Sequence, residues 1–209
     1  MIDNSITQTN DSQSSITPQM AIDLLKDGNE RFISGNVLKR DNAQQVKDTS
    51  TGQFPFGVVL ECIDSRVPAE IVFDQGIGDI FTVRIAGNFA NDDILGSLEF
   101  ACKVAGSKAI IVLGHTSCGA IKGACDHVEL GNLTGMLEKI QPAVVAIADD
   151  GTERSSKNAD FVQKVADKNV ELTVAEILTK SDVLREMNDA GEINIIGAMY
   201  DISTGKVRF

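Results

Sequence analysis

Ala109-Ile110-Ile111-Val112-Leu113-Gly114-His115-Thr116-Ser117-Cys118-Gly119 runs from an unbroken apolar segment straight into a histidine, a cysteine and a glycine. A continuous branched run bounded by glycine reads as a strand buried on both faces, as in a parallel sheet covered by helices. Val58-Val59-Leu60-Glu61-Cys62-Ile63-Asp64-Ser65-Arg66 has the same shape, a short apolar run that stops at a cysteine. Ile80–Arg84 and Ile193–Met199 read as further strands, and Lys206–Phe209 as a closing segment after a Ser203-Thr204-Gly205 turn. Helical signals fill the gaps. Thr17 is an N-cap with Pro18 at the first helical position, and Gly35-Asn36 ends that helix before a polar stretch to about Ser50. Further helices are expected from Pro68 to Asp74 and from about Asp92 to Val104. Several more should follow between Gly119 and about Ala190, broken near Asp149-Asp150-Gly151. The alternation predicts an α/β fold with a central, mainly parallel β-sheet, an antiparallel edge strand and flanking helices.

At 209 residues the chain suits one domain, expected over 17–209, behind a flexible polar tail over 1–16. The tail is rich in Ser, Thr, Gln and Asn and lacks the basic and apolar regions of a secretory signal. This predicts a cytoplasmic location, or a periplasmic one had a leader been removed. A formal charge of −11 with no Trp and a single Tyr disfavours nucleic acid and anionic membrane surfaces as partners. No apolar run approaches the length of a spanning helix. Four cysteines in a chain able to build its own core point to metal binding or buried thiols rather than disulfides.

Sites in open α/β sheets form beyond the carboxyl ends of the strands. If the two cysteine-ended strands are neighbours, Cys62, His115 and Cys118 converge. Two thiolates and an imidazole suit Zn²⁺ and leave a fourth tetrahedral position for water, as in catalytic sites. Asp64 could instead fill that position and close a structural site. Cys102 and Cys125 read as inert core thiols and His127 as a solvated histidine. Asp64 and Arg66 are within pairing reach. As a surface pair they contribute ~0–1 kcal/mol. Beside a metal, Arg66 would keep Asp64 ionised and aimed at solvent on the ion. A cysteine phosphatase needs five residues between its Cys and Arg, and Cys62 and Arg66 are separated by three, which excludes it.

These residues resemble the β-class carbonic anhydrases. Cys62-Ile63-Asp64-Ser65-Arg66 is similar to that family's Cys-x-Asp-x-Arg motif and His115-Thr116-Ser117-Cys118 to its His-x-x-Cys motif. Phe73–Phe81, Ala86-Gly87-Asn88 and Gly197–Gly205 also resemble family segments. The resemblance implies zinc on Cys62, His115 and Cys118, with Asp64 and Arg66 as a catalytic dyad. It further implies that Asp64 can swing onto the metal in a closed state. Gln53 falls where the plant-like branch places a glutamine that binds bicarbonate, which favours the constitutively open branch. The Gly119 amide matches a second substrate contact and Phe81 a pocket wall. The implied activity is reversible hydration of carbon dioxide to bicarbonate and a proton, by attack of zinc-bound hydroxide, in a homodimer or homotetramer. Departures are Ile63, Ile85 and Phe100, where serine, asparagine and tyrosine are commoner. Two other readings remain open: a zinc-dependent hydrolase of carbonyl sulfide or carbon disulfide, and a non-catalytic zinc-stabilised module.

Overall fold

Val58, Val59 and Leu60 are fully buried, as are Ala109 through Leu113, and these two runs form neighbouring strands. In the computed structural model, which describes residues 3–209, the strands are β1 (Gly57–Glu61), β2 (Ile80–Arg84), β3 (Ala109–His115), β4 (Asn194–Tyr200) and β5 (Val207–Arg208). They make one sheet in the order β2-β1-β3-β4-β5, parallel except for β5, which pairs antiparallel with β4. The expected mainly parallel sheet with an antiparallel edge is present.

Alternate strand residues serve opposite faces. Val58, Leu60, Ile110 and Val112 pack with Leu98 of α5 (Asp92–Glu99), Ile121 of α6 (Gly119–Cys125), Val165 and Ile177 of α9 (Ala159–Lys180) and Leu184 of α10 (Asp182–Asp189). Val59, Ile111 and Leu113 pack with Ile22 and Leu25 of α2 (Pro18–Ser34) and Val72 of α4 (Ala69–Val72). Each such side chain contributes about 1.5–3 kcal/mol by leaving water. Two shorter helices, α7 (Gly131–Glu138) and α8 (Gln141–Ala146), link α6 to α9.

The chain leaves β1 for β2 on one side, then crosses back to β3 on the other. The loops leaving β1 and β3 therefore diverge and open a crevice at their carboxyl ends.

Several elements differ from expectation. Within the stretch read as a flexible tail, Asn10–Ser15 form a helix, α1, capped reciprocally by Thr9 and Ser12. Gln13 is buried, and its Nε2 donates to the carbonyls of Pro55 (2.7 Å) and Ala105 (2.8 Å). The start of that stretch, Met1 and Ile2, lies outside the described residues. The polar run after Asn36 contains a helix, α3 (Asn42–Asp48), capped by Asp41. The helix after Pro68 stops at Val72, and Asp74 turns with φ +46°. There its carboxylate meets Arg31 and Arg40 in a buried cluster. The helix beginning at Asp92 does reach Val104, but its last turn, Phe100–Val104, is π-helical. Among the described residues, no helix is long and apolar enough to cross a membrane.

Candidate active site and metal centre

Glu61 pairs with Leu113 across β1 and β3, so Cys62, one residue on, emerges beside the end of β3. His115 ends β3, and Ser117 at φ +56° turns the chain so that Cys118 leads into α6. The sulfurs of Cys62 and Cys118 and a ring nitrogen of His115 all lie within 4.8 Å of one another, and all three residues are buried.

His115 Nδ1 lies 2.9 Å from the Thr116 carbonyl. That contact fixes the proton on Nδ1 and leaves the Nε2 lone pair free, the arrangement usual for a metal-binding imidazole. Nε2 is buried and has no hydrogen-bond partner among the described residues. The two sulfurs are 3.9 Å apart, too far for a disulfide. Two sulfurs each about 2.3 Å from a tetrahedral Zn²⁺ would sit roughly 3.8 Å apart, so the spacing suits that ion. The hydrogen bond between the two sulfurs pushes one thiol, Cys62, down and the other, Cys118, up, so the pair shares a proton more readily than two separate thiols would.

Asp64 leaves the metal cluster to Cys62, His115 and Cys118. It accepts from Arg66 through Nε (2.9 Å), a terminal guanidinium nitrogen (2.7 Å) and the backbone N–H (3.0 Å). Those bonds hold its carboxyl well below the usual range. Its Oδ2 is 3.8 Å from His115 Nε2, so the ionised carboxylate borders the space the three ligands enclose. Gly119, the first residue of α6, follows Cys118 directly.

Gln53 and Phe81 are elsewhere. Gln53 is exposed and precedes β1, whereas Cys62 follows it. Phe81 pairs with Val58 near the amino end of β2, facing Phe100 with ring centroids 6.3 Å apart. Cys102 and Cys125 are buried thiols raised by burial to about 12 and about 11, as expected of inert core residues. His127 is exposed, also as expected.

The carbonic anhydrase family profile matches residues 57–207. Carbonic anhydrase 2 of Mycobacterium tuberculosis is 36% identical over 195 residues, 90% of this chain and 91% of that protein. The chain belongs to the β-carbonic anhydrase family. Among solved structures, the β-carbonic anhydrase CafA of Aspergillus fumigatus aligns with a TM-score of 0.68 and 26% identity, covering 79% of this chain and 80% of its own. Tetrameric β-carbonic anhydrases of Sordaria macrospora share the fold, with a TM-score of 0.68 at 24% identity over 80% of this chain and 86% of theirs.

This carbonic anhydrase is a carbonate dehydratase, and its crevice holds two groups that the motifs do not contain. Arg84, at the end of β2, donates to the carbonyls of Cys62 (3.1 Å) and Asp64 (2.7 Å) and braces the loop between them. It also faces Glu61 at 3.4 Å, yet burial outweighs that attraction and raises the Glu61 carboxyl to about 8. Gly87 donates its N–H to the Cys62 sulfur at 3.4 Å. In the sequence Gly87 stands out only as part of Ala86-Gly87-Asn88, a segment similar to the family, and Arg84 only as the last residue of a strand.

Proposed function

We propose that the enzyme hydrates carbon dioxide to bicarbonate and a proton at a zinc ion held by Cys62, His115 and Cys118. The convergence of two thiols on an unpartnered, buried His115 Nε2 carries this reading. When bound, such an ion polarises water into a nucleophile near neutral pH.

The protein's own groups do the rest. Asp64, kept ionised by Arg66, can only accept hydrogen bonds. A solvent O–H beside it therefore turns its proton towards Oδ2 and its lone pair away, towards substrate. The Gly119 amide, at the start of α6, donates to a bicarbonate oxygen. Buried Val58, Leu60 and Ile121 belong to the apolar layer under the site, which suits a small apolar substrate.

Gln53 is the bicarbonate-binding residue that one copy of the chain cannot supply to its own site. The outer edge of β2 is unpaired among the described residues. Two copies joined antiparallel along β2 would set the amino end of one β1 against the carboxyl end of the other, about 14 Å apart across three strand spacings. The loop carrying Gln53 would then bridge towards the second copy's metal. We therefore propose a homodimer as the smallest active unit, with tetramers built from it.

Zinc content measured with stopped-flow hydration rate tests the reading. Stoichiometric zinc with rapid hydration is the expected result. Full zinc without hydration would leave a metal-stabilised module, and turnover of carbonyl sulfide or carbon disulfide without hydration would reassign the substrate.

A further inference from the structure

Asn169 lies in the middle of α9, far in sequence from either metal-ligand motif, and is buried. Its Nδ2 donates to the Gly87 carbonyl at 2.8 Å. Gly87 in turn gives its N–H to the Cys62 sulfur. The turn is fixed in other ways too. Gly87 has φ +85°, a backbone conformation that favours glycine, and a Cβ there would also press on the tip of Ile140.

We propose that Asn169 is a positioning residue for the metal centre, holding the backbone of Gly87 in the conformation that keeps its N–H on the Cys62 thiolate. The inference rests on Cys62 being a metal ligand. The N–H and C=O of Gly87 lie in successive peptide planes hinged at its Cα, so anchoring the carbonyl from Asn169 restricts the φ and ψ rotations by which this glycine could turn its N–H off the sulfur. An N–H on a metal thiolate withdraws charge from sulfur, and such outer contacts tune the ion as strongly as they orient the ligand. Asn169 thus acts on the ion through two bonds, without touching it. Its amide also replaces water at the Gly87 carbonyl, which would otherwise be left poorly satisfied in the interior.

Cobalt(II) substitution gives the readout, since thiolate-to-cobalt charge transfer reports sulfur donor strength directly. Asn169→Leu removes the donor at similar volume. Asn169→Ser is the fallback if the leucine variant does not fold. The expected result is a shift of the charge-transfer band to lower energy, with zinc affinity in competition with a chelator roughly ten to a hundred times weaker than in wild type. Val174→Ala, on the same helix, serves as the control for general loosening and should leave the band in place. A folded, metal-loaded Asn169 variant with an unmoved band would overturn the proposal, even if its melting temperature had dropped. A wild-type cobalt protein with no thiolate band at all would instead remove Cys62 from the metal, and the inference with it.

Discussion

A thiol binds a metal only as thiolate, so any proton still on Cys62 or Cys118 must leave when a divalent ion arrives. Two bound thiolates then cancel the ion's formal charge, whereas an all-histidine site keeps it. The ion should therefore acidify water less than the pKa of ~7 found with three histidines. Consequently kcat/KM should climb from about pH 6 to about pH 9, and a profile already flat across that range would contradict the ligand set. Replacing Cys118 with serine should strip zinc and activity together, as metal analysis and stopped-flow assay will show. Asp64→Asn should keep its zinc and lose roughly a hundredfold or more in kcat/KM, because an amide also donates and no longer enforces one solvent orientation. These residues were legible because His115-x-x-Cys118 and Cys62-x-Asp64-x-Arg66 sit at strand ends. Asn169 was not, since nothing in a helical sequence shows which distant carbonyl a buried amide will meet.

At the scale of elements, the central strands β1 and β3 announced themselves through unbroken apolar runs, because burial on both faces leaves no polar alternation to misread. The short helices were harder. α3 exposes its only large apolar side chain, Val46, at 56%, so it carries no apolar stripe and depends on the Asp41 cap. α1 is likewise polar and is held by side-chain amide bonds rather than by a buried face. The long α2 shows the opposite regime. It approaches the turn after α4 so closely that a Cβ on Gly28 would lie 1.8 Å from the Phe73 carbonyl oxygen. That obstacle is backbone and cannot rotate aside. Gly28→Ala should cost about 3 kcal/mol or more, beyond the usual range for overpacking, and denaturant unfolding measures it directly.

For the whole molecule, charge and edges matter most. Asp79 is fully buried before β2, and burial raises its carboxyl from an ordinary 3.8 to about 6. The native state therefore holds this proton more tightly than the unfolded chain, and stability falls as pH rises through that window. Asp79→Asn should narrow the loss by on the order of 1–3 kcal/mol, seen as a melting temperature that gains on wild type at about pH 8 but not at about pH 4. The uncovered edge of β2 makes a separate claim. Phe100, 52% exposed beside it, should tolerate Glu within a folded monomer, yet Phe100→Glu should break the proposed dimer in sedimentation and lower activity at unchanged zinc content. Nothing in the apolar pattern of Ile80–Arg84 distinguished an edge from a central strand, because pairing partners are a property of topology.

Gln13 adds a constraint in time. Its single amide is satisfied only by carbonyls found 42 and 92 positions further along the chain. On the ribosome, α1 must wait for Pro55 and then Ala105 to be made before that amide can be satisfied, so its docking lags its own synthesis by about half the sheet.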